Sequence, residues 1–158
     1  MKIIFLDIDG VLNSAEYDSN RNENDGNIDL TRLPLLKEIV DKTNAKIVLS
    51  SSWRKVWFKD VSLCDIVGKE LNDTFNSAGL EIYDKTPVLG RRKDEIKAWL
   101  QNNPHIENFA IIDDMTFGWE ELSDHLVKTN TLIGRGLEQT HVDSAIKILT
   151  YKDGKSKL

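Results

Sequence analysis

Apolar positions along the chain fall into two kinds of run. Ile3–Leu6, Lys46–Leu49 and Asn108–Ile112 are short and barely alternate, the pattern of strands buried on both faces. Other stretches repeat apolar residues every three or four positions and predict helices with one inward stripe. Leu33, Leu36, Ile39 and Val40 form the first such stripe, with Asp29 or Thr31 as cap and Pro34 in the first turn. Residues 55–80 carry Trp57, Phe58, Val61, Ile66, Val67 and Leu71 on a largely helical pattern stopped by Ser77, Ala78 and Gly79, read as one or two helices covering the sheet. A short strand is predicted at Glu81–Tyr83, and a helix at Asp94–Gln101 with Ile96, Trp99 and Leu100 inward. Glu120–His125 reads as a short polar helix or turn, Leu126–Thr129 as a fifth strand and Gly134–Gly136 as a turn. The last helix starts at Thr140 and runs through Val142, Ala145, Ile146 and Leu149. Residues 14–29 are polar and predict a long surface loop, and the tail from Lys152 predicts a frayed end.

Strands alternating with helices call for an α/β architecture: a three-layer, doubly wound parallel sheet of Rossmann-like type. At 158 residues one domain, 1–158, is the expectation. Such a sheet gathers its ligand groups at the carboxyl ends of the strands.

The chemistry-bearing residues stand at those ends. Asp7 and Asp9 close the first strand, on one side of it, with Ile8 turned to the core and Gly10 breaking the strand. Two carboxylates so close are costly unless a cation or a shared proton relieves them, and a divalent metal is the simplest answer. A plain Asx-rich turn is the alternative for this motif alone. Asp113 and Asp114 form a second acidic pair at a strand end. Ser50-Ser-Ser-Trp-Arg54 delivers hydroxyls and a guanidinium, suited to an anion, although a Ser-rich turn would look the same. Arg91, Arg92 and Lys93 precede a helix, where cations oppose the helix dipole, so a phosphate or carboxylate cluster nearby would explain them better than a solvated charge run.

Composition narrows the picture. Apolar and charged fractions of 40% and 30% are those of an ordinary globular protein, and the net charge of −5 argues mildly against broad nucleic-acid binding while leaving room for a local basic patch. Cys64 is the only cysteine, which excludes a disulfide framework and a cysteine-rich zinc site. No apolar run approaches the roughly 18 residues of a membrane span, and the N-terminus lacks a signal-peptide layout, so a cytoplasmic location is expected. His105, His125 and His141 share no ligand spacing and are expected at the surface. Asp18, Asn20 and Asn22 imitate the start of a calcium loop, but Glu23 occupies its glycine position and Asp29 its last.

The opening motif, an apolar run followed by Asp-x-Asp-Gly-Val, resembles the first signature of the haloacid dehalogenase (HAD) superfamily of phosphotransferases. Ser50 then resembles its hydroxyl motif, Lys93 or Arg92 its cationic motif, and Asp113-Asp114 its acidic motif, in the superfamily's order. More narrowly, Ser-Ser-Ser-Trp-Arg (50–54), Thr-Pro (86–87), Glu-Ile-Lys-Ala-Trp-Leu (95–100) and Ile-Ile-Asp-Asp (111–114) look like the small HAD domains of bacterial and phage RNA-repair proteins.

The resemblance implies a phosphoric monoester hydrolase with a minimal cap or none. It implies Asp7 as nucleophile forming an aspartyl-phosphate and Asp9 as general acid/base. Ser50 and Lys93 or Arg92 would hold the transferred group, with Ser51 and Arg54 as substrate contacts. Mg²⁺ would bind Asp7, Asp9 through its backbone carbonyl, Asp113 and Asp114. The implied partner is a phosphorylated small molecule or nucleic-acid end, with no membrane and no obligate protein partner. A metabolite phosphatase of the same superfamily, a receiver-like switch and a non-catalytic phosphate-binding module are the alternatives; no apolar run in mid-chain ends in the lone Asp that a receiver requires.

Overall fold

Ile3, Ile4, Phe5 and Leu6 are all fully buried, as an unalternating run demands. The computed structural model describes residues 1–130 and 134–151; the polar tail from Lys152 lies outside them. Five parallel strands, β1 (Lys2–Leu6), β2 (Lys46–Leu49), β3 (Ile82–Lys85), β4 (Asn108–Asp113) and β5 (Leu126–Lys128), make one sheet in the order β3-β2-β1-β4-β5. The helices are α1 (Ala15–Asn20), α2 (Leu33–Thr43), α3 (Ile66–Ser77), α4 (Arg92–Asn102) and α5 (Gln139–Thr150). The fold is the doubly wound α/β sheet expected from the sequence.

Alternation sorts the core into two layers. Ile4, Leu6, Ile47, Leu49, Ala110 and Ile112 face α2, α3 and α5 through Leu36, Ile39, Leu71, Phe75, Val142 and Ala145. Ile3, Phe5, Val48 and Ile111 face the other way, onto Ile96 and Trp99 of α4 and onto Trp119 and Leu122. Each fully buried side chain of this size stabilises the fold by about 1.5–3 kcal/mol. Phe5 meets Trp99 edge-on at 5.4 Å and 84°, which locks α4 to the sheet.

Several elements differ from the sequence reading. Residues 14–29 are not one long loop: α1 opens them, with the Ser14 hydroxyl accepting from Tyr17 N at 3.2 Å and Glu16 and Asp18 in its first turn. The Tyr17 hydroxyl reaches Gly26 O at 2.8 Å and Ile28 O at 3.1 Å, folding the rest of the segment back. No residue of α1 is buried, so apolar periodicity carries no sign of it.

Residues 55–65 are likewise not helical in the expected way. They hold the end of one 3-10 turn (Ser52–Lys55) and all of another (Val61–Leu63), and α3 begins only where Asp65 Oδ1 accepts from Gly68 N at 2.8 Å. Ile66, 85% exposed, and Val67 and Phe58 are therefore not core residues. Gly68 lets α3 approach the loop, since a Cβ there would lie 2.0 Å from Val56 O.

The strand expected at Glu81–Tyr83 runs instead from Ile82 to Lys85. α4 starts at Arg92, two residues before the expected Asp94, because the Arg91 carbonyl accepts from Asp94 N at 3.0 Å and Glu95 N at 3.1 Å. His125 and His141 are half-buried, not free at the surface: His125 stacks on Phe109 at 3.9 Å, and His141 Nδ1 accepts from Glu138 N at 3.0 Å to cap α5.

The chain steps from β1 outward to β3, then returns to the other side of β1 with β4. That reversal leaves a crevice at the carboxyl ends of β1 and β4, the place where open α/β sheets bind ligands.

Candidate active site

The strand ladders run one residue past the strands and level the site residues. Asp7 N donates to Ile112 O at 3.0 Å, Ser50 N to Leu6 O at 2.9 Å, and Thr129 N to Asp113 O at 3.0 Å. Asp7 therefore lies between Ser50 on one neighbour and Asp113 on the other. After it the chain turns at Gly10, whose φ of +80° favours glycine. The Gly10 carbonyl accepts from Thr129 Oγ1 at 2.8 Å and its N–H donates to Asn13 Oδ1 at 2.9 Å, fixing the turn at both ends.

Arg92, the first residue of α4, supplies the cation. Its Nη1 lies 2.6 Å from Asp113 Oδ2 and 3.2 Å from Asp7 Oδ2, so one guanidinium nitrogen serves both carboxylates. Burial pushes the Asp113 carboxyl up to about 7, with the Asp7 charge adding to the rise and Arg92 opposing it. Asp7 is also raised, by burial first; Arg92, the Ser51 hydroxyl and the Ile8 N–H pull the other way. Burial works against the Arg92 charge, yet Asp7 and Asp113 outweigh it and raise the arginine pKa. One arginine thus leaves two buried carboxylates under-compensated.

The Asp7, Asp113 and Asp114 carboxylates each offer an oxygen within 4.8 Å of the other two. An all-oxygen set of three carboxylates, two of them buried and held back from ionising, fits a hard divalent cation. The Asp9 carboxylate is not in that cluster. It is exposed and held by two donors, Asn13 Nδ2 at 3.0 Å and Trp53 Nε1 at 3.0 Å, which fix it at the rim.

The hydroxyl loop divides its work. Ser50 is fully buried, and its Oγ has no hydrogen-bond partner among the described residues. By alternation from Phe5 and Val48 it shares the face of Asp7. A buried hydroxyl left so costs about 1–3 kcal/mol unless something completes it. Ser51 stands beside Asp7 and also accepts from Trp53 N at 3.3 Å. Arg54 is turned inward: it donates to Ser50 O at 3.1 Å, Ser51 O at 2.6 Å and Glu95 Oε1 at 2.7 Å. Lys93 points away from the carboxylates and pairs with Glu120 at 3.1 Å.

Three participants escaped the sequence reading. Glu95, buried on α4, accepts at one oxygen from Arg54, Leu89 N at 2.9 Å and Gly90 N at 3.1 Å, tying the hydroxyl loop to the loop before α4. A carboxylate next to Ile96 on an inward helix stripe is the signal that marks it. Trp53 and Asn13 hold Asp9; only the closeness of Asn13 to the opening motif hints at its part.

The family described as HAD domain in Swiss Army Knife RNA repair proteins matches residues 3–142. No curated protein and no solved structure matches the chain.

Proposed function

The chain belongs to the family of HAD domains in Swiss Army Knife RNA repair proteins, and from that premise we propose that it is a Mg²⁺-dependent phosphohydrolase acting on phosphorylated nucleotide or polynucleotide ends. The observation that carries the reading is Asp7, buried and pinned against Arg92 between an orphan serine hydroxyl and a second acidic pair. A carboxylate so placed is a nucleophile: attack on phosphorus forms the aspartyl-phosphate and expels the leaving oxygen, which Asp9 protonates. Asp9 then takes a proton from the water that cleaves the acyl phosphate, restoring Asp7 and releasing phosphate. Ser50 and Ser51 donate to the transferred oxygens, and Arg92 stabilises their charge. Arg92 rather than Lys93 takes the cationic part, because only Arg92 reaches the carboxylates. Arg54 holds the loop that aims the serines.

Asp7, Asp113 and Asp114 would hold Mg²⁺, which when bound supplies charge neutralisation between the carboxylates and the phosphate. The segment after Asp9 contributes only the short α1, which leaves the site open to a substrate with a long leaving group. No helix among the described residues is long and apolar enough to cross a membrane.

Turnover of p-nitrophenyl phosphate and of 3′- and 5′-phosphorylated oligonucleotides tests the reading. Activity should vanish with a chelator and return with Mg²⁺; full activity in chelator would remove the metal. A higher kcat/KM for a small sugar phosphate than for every oligonucleotide would remove the polynucleotide substrate and leave the phosphatase.

A further inference from the structure

Beside Arg92 lies a cavity of about 550 Å³, between the loop that leads into α4 and the loop that leaves β4. Its size is that of a site for one small ligand. Five cations and two carboxylates line it, a local charge of +3 on a chain that carries −5 overall. Both carboxylates are engaged, Glu95 by Arg54 at 2.7 Å and Glu120 by Lys93 at 3.1 Å. Arg92 is committed to Asp7 and Asp113. Two cations are left for a ligand. Lys55 is exposed with no carboxylate partner among the described residues, and the Arg91 side chain is 78% exposed with Asp94 no nearer than 3.8 Å. Arg91 immediately precedes α4, where the helix dipole opposes a cation and favours an anion beside it.

The loop that leaves β4 adds an aromatic ring to the lining. Phe117 is 82% exposed, although the loop that carries it is anchored: Trp119 is buried and its Nε1 donates to Met115 O at 3.0 Å. A ring held in water by a fixed loop, in one cavity with Lys55 and the loosely paired Arg91 and next to a phosphate-transfer centre, suits a base and a phosphodiester together. A sugar phosphate would use neither.

We propose that this cavity is the leaving-nucleotide subsite for a single-stranded nucleic-acid end. The terminal phosphate lies at Asp7, the adjoining base stacks on Phe117, and the next phosphodiester pairs with Lys55 and Arg91. The proposal rests on the phosphatase reading and adds to it the residues that choose the substrate.

Binding is measured with fluorescein-labelled single-stranded oligonucleotides carrying a 3′- or a 5′-phosphate, titrated into Asp7→Asn, which binds without turnover. Adding Phe117→Ala should weaken the tighter of the two about tenfold, the loss expected for one stacked base. Adding Lys55→Gln and Arg91→Gln should flatten the slope of log Kd against log salt by ~0.7, the change expected for one phosphate contact of a single strand. Unchanged affinity and salt slope in these variants, or no binding of either oligonucleotide to Asp7→Asn, would overturn the subsite. Wild-type turnover of p-nitrophenyl phosphate reads the chemistry separately. Its absence with the affinity contrasts intact would sink the phosphatase reading alone, whereas turnover without the contrasts would sink the subsite alone.

Discussion

Trp53 donates its indole N–H to Asp9 Oδ2 at 3.0 Å, across 44 positions of sequence. The bond ties the hydroxyl loop after β2 to the acid/base proposed at the end of β1. Hydrogen bonds to charged groups contribute about 1.5–3 kcal/mol, so losing this one frees the Asp9 carboxylate to turn away.

Trp53→Phe keeps the ring and removes the donor. We expect kcat to fall about tenfold or more for an alkyl phosphate, whose leaving oxygen needs a proton, and distinctly less for p-nitrophenyl phosphate, whose leaving group does not. Equal losses on both substrates would show that Trp53 acts through the fold and not through Asp9.

The two adjacent cations of α4 give a sharper contrast. Arg92→Ala removes the guanidinium that Asp7 and Asp113 share, and it should lower kcat/KM for p-nitrophenyl phosphate about 10²–10³-fold. Lys93→Ala loses an exposed pair with Glu120, worth at most about 1 kcal/mol, and should stay within about threefold of wild type. The reverse order would return the cationic part to Lys93.

The choice between these two residues shows where the sequence stops being readable. Neighbours on a helix project about 100° apart, so which of them faces the sheet depends on where the helix begins. Reading α4 from Asp94 instead of Arg92 erases that information. By contrast, Ile3–Leu6 and Asn108–Ile112 announce themselves as buried strands, and Asp7 and Asp113 follow as the first polar residues at their ends. Parallel pairing then makes those ends neighbours without further input. Glu95 and Trp53 act through partners distant in sequence, and no local pattern reports a tertiary hydrogen bond. α1 is invisible to apolar periodicity for a different reason: its cap and dipole stabilise it with nothing buried.

Stability should depend on pH in an unusual direction. Asp113 has its pKa raised from 3.8 to about 7 in the folded, metal-free chain, so the native state holds this proton more tightly than the unfolded one. The sign follows: stability falls as pH rises from about 4 to about 7 and is level above, a loss on the order of 4 kcal/mol. His141 acts oppositely, since burial lowers its pKa and folding gains as the unfolded chain's imidazole loses its proton. The contrast with Asp113→Asn isolates the carboxylate. Urea midpoints in chelator should drop between pH 5 and pH 8 for wild type and drop less for Asp113→Asn. Added Mg²⁺ should abolish the wild-type drop, because the cation binds the ionised carboxylates. A wild-type midpoint that rises with pH in chelator would contradict the burial argument.

The roles proposed for Asp7 and Asp9 separate under amide replacement. Asp7→Asn keeps the shape of the buried side chain but removes the nucleophile, so no acyl phosphate can form and labelled phosphate should never appear on the protein. Asp9→Asn keeps the nucleophile and loses the proton transfers, a step typically worth about 10²–10⁴-fold. With a nitrophenolate leaving group, which departs without a proton, attack by Asp7 should survive better than the later attack by water, which needs Asp9 as base. The Asp9→Asn protein should then accumulate an acid-stable, hydroxylamine-sensitive phosphoprotein that wild type turns over too quickly to trap. Ser50 offers the competing site, since its buried, unpartnered hydroxyl stands beside Asp7. A phosphoserine resists hydroxylamine, so the chemistry of the label discriminates the two. Label on Asp7→Asn, or on Ser50 in any variant, would displace Asp7 as the nucleophile and leave it as a metal ligand alone.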